Sequence, residues 1–295
     1  MTSSSAIIGI RQPSKKGKTV NVEELEVKAN DIRKDIVRMI AEAGSGHPGG
    51  SLSSADMLCA LYFGEVLCHD PKNPEDETRD RFVLSKGHAA PALYATLAEA
   101  GYFPVEELMT LRKLGTRLQG HPDMHLVPGV EASTGSLGQG LSIAAGIAAG
   151  LHLDGKTNAV FAVLGDGECE EGQVWEAAMF AAHRNLDALT AIVDHNGLQI
   201  DGRVSDVCSP EDIGEKFAAF GWDVRSVDGH DIDALVSVLG ECKSDRSGRP
   251  HAVIAETVKG KGVSFMENEA GWHGTAPNAE QLARALADLD AAAGE

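Results

Sequence analysis

The chain has 295 residues, 43% of them hydrophobic, enough for one large domain with a substantial core. Its 44 acidic and 26 basic side chains leave a formal charge of −18, which argues against nucleic-acid phosphates and anionic membrane surfaces as ligands, because both need an excess of Lys and Arg. Five cysteines (Cys59, Cys68, Cys169, Cys208, Cys242), odd in number and without a CxxC spacing, argue against a secreted disulfide framework or a zinc site and leave a small molecule or a protein as the expected partner.

Residues 1–20 are rich in Ser, Lys and Gly and read as a flexible arm; their apolar patch AIIGI is too short for a signal-peptide core, so the expected compartment is cytoplasmic. The α/β domain is expected over 21–295. VEELEVKANDIRKDIVRMIAEAG carries apolar residues at helical spacing up to a glycine stop at Gly44. GHPGG follows at 46–50, where Ser51 or Ser53 offers a cap for the next helix. A solvated loop, PKNPEDETRD (71–80), leads into the β-branched run RFVLS (81–85) and then SKGHA (85–89), with Pro91 suited to a helix's opening turn. After QGHPD (119–123), STGSLGQGLSIAAGIAAGL (133–151) reads as a Ser/Thr-capped, Gly/Ala-rich helix whose apolar part is too short to span a bilayer. The runs AVFAVL (159–164), ALTAIVD (188–194), WDVRSV (222–227) and HAVIAE (251–256) alternate with helix-length segments. This alternation predicts a single α/β domain: a doubly wound parallel sheet with helices on both faces.

GDGECEEG (165–172) closes one of these runs with an aspartate and three glutamates. In an open parallel sheet ligands bind beyond the carboxyl ends of the strands, and Asp166 stands at such an end. EGQVWEAAMFAAHRNL has the length of a crossover helix, so the next run, ending at Asn196, is expected to lie beside the first. Asp166, Asn196 and a loop carbonyl just after it, at Leu198, then offer hard oxygens to one Mg²⁺, with positions left for a diphosphate. Gly165 and Gly167 permit close approach of backbone, and the Gly167 amide is a candidate donor to a phosphate. The plainer alternative is an Asp-Gly turn whose glutamates favour a helix start.

GDG followed at this interval by Asn after a strand resembles the Mg²⁺–thiamine diphosphate signature, and the surrounding segments resemble the N-terminal part of transketolase. The further matches are SGHPGGSLSSADMLCALYF (45–63), FVLSKGHAAPALYATLAEAGYF (82–103), LQGHPDM (118–124), STGSLGQGL (133–141), LQIDG (198–202) and AGWHG (270–274). They run in the family's order and cover roughly residues 25 to 275.

The resemblance implies thiamine diphosphate and Mg²⁺ as cofactors and the diphosphate-binding fold. It implies that His88 and His273 reach the diphosphate and that His47, His121 and His273 face the donor sugar, where imidazole suits proton transfer. It places Gly135 and Leu137 beside the aminopyrimidine ring, with Ser136 where many transketolases have Pro, and it places Glu171 at the contact with a partner domain. Glu168 and Glu170 have no such counterpart and read as helix-start charges. His69, His125, His152, His183, His195, His230 and His251 are expected to be structural. The implied reaction transfers a two-carbon ketol unit from a ketose phosphate to an aldose phosphate. The pyrimidine-binding and C-terminal domains of the family, with the glutamate that activates the cofactor, are expected on a second subunit, in an α2β2 heterotetramer that alone is active. A deoxyxylulose-phosphate synthase or dehydrogenase subunit of the thiamine family, or a non-catalytic cofactor-binding subunit, stays open as an alternative.

Overall fold

In the computed structural model, residues 21–210 and 212–294 are described, so the arm expected over 1–20 lies outside the described residues. Helix α1 (Val22–Ala43) starts where the Asn21 side chain accepts the Glu23 amide at 3.2 Å. It stops at Gly44, whose φ of 61° turns its N–H back to the Ala41 carbonyl. Next come α2 (Pro48–Ser53), α3 (Ala55–Phe63), β1 (Arg81–Leu84), α4 (Ala90–Glu99), α5 (Gln139–Leu153), β2 (Val160–Gly165), α6 (Gly172–His183) and β3 (Leu189–His195). A short hairpin, β4 (Leu198–Gln199) and β5 (Gly202–Arg203), leads through α7 (Val204–Val207) and α8 (Ile213–Ala219) to β6 (Asp223–Asp228), α9 (Ile232–Ser244), β7 (His251–Glu256) and α10 (Ala279–Ala293).

The five long strands form one sheet in the order β1-β2-β3-β7-β6, and every neighbouring pair is parallel. All five expected runs are strands, and β2 and β3, joined by α6, are neighbours with Gly165 opposite Asp194. Alternation along each strand divides the core in two. Phe161, Val163 and Ile192 pack with α1, α3 and α4 on one face. Val160, Ala162, Leu164 and Val193 pack with α5, α6 and α8 on the other. Burial on both faces is why these strands read as unbroken apolar runs.

Two expected caps are absent. The N-cap of α2 is His47, with no side-chain cap, and Ser51 instead donates its hydroxyl to the His47 carbonyl at 2.6 Å from inside the helix. Helix α5 starts at Gly138, with φ of 80° and no Ser or Thr cap. The Gly138 N–H goes to the buried Glu168 carboxylate at 2.9 Å, so the turn is docked onto the end of β2 rather than capped locally.

Candidate functional site

The carboxyl ends of β1, β2, β3 and β7 release four loops at one edge of the sheet, and these loops carry the chemistry. A cleft there is lined by Lys86, His88, Leu137, Asp166, Gly167, Asn196, Leu198, Lys259 and His273. Asp166 is only 2% exposed. One of its carboxylate oxygens accepts the Gly167 amide at 2.8 Å and the other the Gly197 amide. Gly167 N–H, expected to face a phosphate, thus holds the aspartate in place. Burial and the nearby Asp194 push the Asp166 carboxyl above its usual range, against the pull of the two amides and Lys259. Asn196 Oδ1 accepts the Leu198 amide at 3.2 Å, and the Leu198 carbonyl accepts Lys259 Nζ at 3.0 Å. Burial and the Lys86 charge bring the Lys259 ammonium down to about 8, although Asp194 and Asp166 oppose them.

Beneath this floor lies a buried charge pair. Lys86 donates to Asp194 and to the Gly50 carbonyl at 2.9 Å, while Ser53 (2.7 Å) and Thr257 donate to the same carboxylate. Burial alone would raise the Asp194 carboxyl, but Lys86 and the hydroxyls outweigh it and hold the group below the usual range. The network ties α2, the β1 exit, β3 and the β7 exit into one frame. Sequence reasoning missed Lys86, Asp194 and Lys259. The signal was present: a charge inside an otherwise apolar strand, as in AIVDH, needs a buried partner.

Three of the four histidines singled out by their motifs come together. The rings of His47, His88 and His273 form a triangle with centroids 5.3, 5.4 and 5.1 Å apart. Burial depresses all three, with Lys86, Lys259 and Arg112 adding repulsion: His47 to about 4, His273 to about 3 and His88 well below the ordinary value. His47 Nδ1 and His273 Nδ1 are buried without a hydrogen-bond partner. His121 is exposed and packs on Gly135, where φ is 146° and a Cβ would stand 3.0 Å from its ring. Burial and Arg112 lower its pKa as well.

Glu171 is exposed at the N-cap of α6 and is not among the residues lining the cleft. Glu168 and Glu170 are not helix-start charges. Glu168 is buried and accepts from Ser85 Oγ, the Gly138 amide and the Gly165 amide, the last at 3.0 Å. Glu170 accepts from Gln199 at 3.1 Å. The Gly-Asp-Gly turn continues as a short 3-10 segment, so its carboxylates point into neighbouring loops before α6 begins. Three histidines expected to be structural have hydrogen-bond partners, His69 with Tyr62 and Tyr102, His195 with Glu256 and His230 with Asp56, while the buried His251 approaches Asp223 at 3.4 Å without a hydrogen bond. The five cysteines form no disulfide, and Cys59, Cys169 and Cys242 are buried. Asp223, Asp245 and His251 cluster at the opposite edge of the sheet, where Arg225 and Arg249 already pair with Asp223.

Residues 25–291 match the family profile described as "Transketolase, thiamine diphosphate binding domain". The 6-deoxy-6-sulfo-D-fructose transketolase subunit of Clostridium sp. (strain MSTE9) is 46% identical over 267 residues, which cover 90% of this chain and 96% of that protein. An apulose-4-phosphate transketolase subunit of Phocaeicola vulgatus is 40% identical over 270 residues, covering 92% and 95% of the two chains. Among solved structures, transketolase of Campylobacter jejuni superposes with a TM-score of 0.84 at 34% identity, over 93% of this chain and 43% of that one. A Pichia stipitis transketolase in complex with sedoheptulose-7-phosphate gives 0.86 at 33% identity, over 92% and 41%. The chain thus spans nearly all of the subunit relatives and less than half of these longer transketolases.

Proposed function

Since the chain belongs to the transketolase family, as its thiamine diphosphate-binding domain, we propose that it works as the cofactor-holding subunit of a two-chain enzyme that moves a two-carbon ketol unit from a ketose to an aldose. One observation carries the reading: His88 and His273, two corners of an imidazole triangle completed by His47, share a cleft with Asp166, Asn196 and Leu198. The residues present fit the cofactor and its cation. Asp166 is desolvated and short of positive charge, the Lys259 ammonium already occupies the Leu198 carbonyl as a cation would, and His47 and His273 hold unpartnered buried nitrogens.

Asp166, Asn196 and Leu198 would hold Mg²⁺, while His88, His273 and Lys259 would face the diphosphate, with Gly135 and Leu137 beside the aminopyrimidine ring. When bound, thiamine diphosphate supplies the electron sink for breaking the C2–C3 bond of the ketose. The protein supplies orientation and proton transfer. Desolvation and repulsion favour the neutral imidazole, which keeps one bare ring nitrogen, so His47, His121 and His273 are placed to accept from sugar hydroxyls, and the C3 hydroxyl proton passes to one of them. Subunit-named relatives act on a sulfonated ketose and on a ketose phosphate, and we assign this chain the same class, a ketose with an anionic end. Glu171 meets the second subunit, which carries the pyrimidine-binding and C-terminal domains in an α2β2 assembly. Among the described residues no helix is long and apolar enough to cross a membrane, and the cytoplasm is the compartment that suits sugar-phosphate substrates.

The test is calorimetric titration of Asp166→Ala and Asn196→Ala, co-purified with the partner subunit. Both variants should lose Mg²⁺-dependent thiamine diphosphate binding while circular dichroism stays unchanged. Undiminished affinity in both would overturn the proposed metal site.

A further inference from the structure

His230, in the loop between β6 and α9, links helix α1 to the exit of β7. Arg33 of α1 pairs with Asp56 Oδ2 of α3, His230 Nδ1 donates to that same oxygen at 2.7 Å, and His230 Nε2 accepts the Val258 N–H at 2.8 Å. A backbone N–H can only donate, so Nε2 is the bare nitrogen and Nδ1 the protonated one; the two contacts specify a single neutral tautomer. The Asp56 side chain is 6% exposed, and burial by itself would raise its carboxyl. Arg33 and His230 outweigh that and hold it below the usual range, so it remains an ionised acceptor.

Val258 lies two residues beyond the end of β7, where the sheet no longer pairs its amide. Thr257 before it is anchored by the His195 carbonyl at 3.0 Å, and Gly260 after it donates to the Gly49 carbonyl at 3.0 Å. Between these anchors the Val258 peptide is held by an imidazole, and the next residue is Lys259, whose ammonium reaches the Leu198 carbonyl in the cleft. We propose that His230 is a positioning residue for thiamine diphosphate binding: its Nε2 fixes the Val258 peptide and thereby aims Lys259 into the cleft. This inference rests on reading the cleft as the cofactor's site.

Two substitutions separate positioning from packing. In His230→Gln the side-chain oxygen reaches where Nε2 stands and keeps the acceptor for Val258. In His230→Asn the amide stands in for Nδ1, keeps the donor to Asp56 and abandons Val258. The Arg33–Asp56 pair survives in both variants, so neither leaves a lone buried charge. Each is co-purified with the partner subunit, then titrated with magnesium thiamine diphosphate, and hydrogen exchange is followed at the Val258 amide without cofactor. His230→Asn should exchange faster at Val258 and bind about tenfold more weakly, the size of one lost hydrogen bond, while His230→Gln stays within about threefold of the parent on both readouts. Equal affinity in the two variants, or parental affinity in His230→Asn despite a freely exchanging Val258 amide, would overturn the inference. No binding by the parent enzyme would overturn the reading of the cleft itself, an outcome that the exchange measurement on cofactor-free protein keeps distinct.

Discussion

At the scale of single residues the histidines divide by exposure. His273 belongs to the buried triangle, whereas His121 is exposed against Gly135. Replacing either by Ala should slow ketol transfer by about 10²- to 10⁴-fold, the range for a lost acid–base group. Cofactor affinity should fall more in His273→Ala, because only His273 lines the cleft with Lys259 and Asp166. Parental rates in either variant would show that histidine to be structural. The triangle also sets a pH dependence. Its folded pKa values lie below the ordinary 6.5, near 4 for His47 and near 3 for His273, so between about pH 6.5 and 4 the unfolded chain binds more protons. Stability from this source is complete above that window and is lost as the pH falls through it. Asp35, raised to about 6 by burial, has the opposite sign and favours folding as the pH falls. The melting temperature of the cofactor-free protein should therefore drop between pH 6.5 and 4.5, and less steeply in His47→Asn/His273→Asn; equal slopes would exclude the triangle as the cause. The sequence revealed these histidines because each adjoins a glycine, with Pro next to two of them, a pattern that places a side chain at the start or end of an element. Lys86 and Lys259 also adjoin glycines, but lysines in such loops read as solvated charges, and Asp194 has no adjoining glycine. Their partners lie on different strands, and nothing local in the sequence ties Lys86 to a residue more than a hundred positions away.

Among the elements, the strands were legible because both faces of the sheet are covered, which makes each strand a continuous apolar run. The caps were not, because the start of α5 is fixed from outside the helix by Glu168. That carboxylate gathers Ser85 Oγ, the Gly138 amide and the Gly165 amide, joining the ends of β1 and β2 to α5. Glu168→Ala should cost roughly 2–4 kcal/mol in urea denaturation, since it strands three donors at a buried junction, and Glu168→Gln should recover part of that because an amide oxygen still accepts. A loss within about 0.5 kcal/mol, the range of ordinary surface changes, would show that water replaces the carboxylate there. Gly140 tests the same junction sterically. A Cβ at this position would stand 2.5 Å from the Ser85 Cα, so Gly140→Ala must push α5 away from the β1 exit. Its melting temperature should fall although alanine is the better helix former.

For the whole molecule, the question is what completes the site. Near the cleft Glu168 is satisfied by three donors and Glu170 by Gln199, so neither carboxylate is available to activate a cofactor ring. Leu137 at the cleft is 36% exposed, and Leu153 on α5 with Met179 and Phe180 on α6 is 85%, 51% and 40% exposed on helices covering the same face of the sheet. Exposed apolar side chains such as these, on α5, on α6 and at the cleft, are what a second chain would bury in a large obligate interface. The relatives that this chain spans almost end to end are themselves named as subunits. The purified chain alone should therefore show no ketol transfer between ketose and aldose phosphates and should bind thiamine diphosphate weakly. Co-expression with its partner should restore turnover and raise the mass measured by light scattering to that of an α2β2 assembly. Phe180→Glu should weaken that assembly and lower turnover in proportion while leaving the isolated chain's melting temperature unchanged, because at 40% exposure the ring contributes little to this chain's own core. Sustained transketolase turnover by the isolated chain would refute the two-chain reading, whatever the fate of the Phe180 variant.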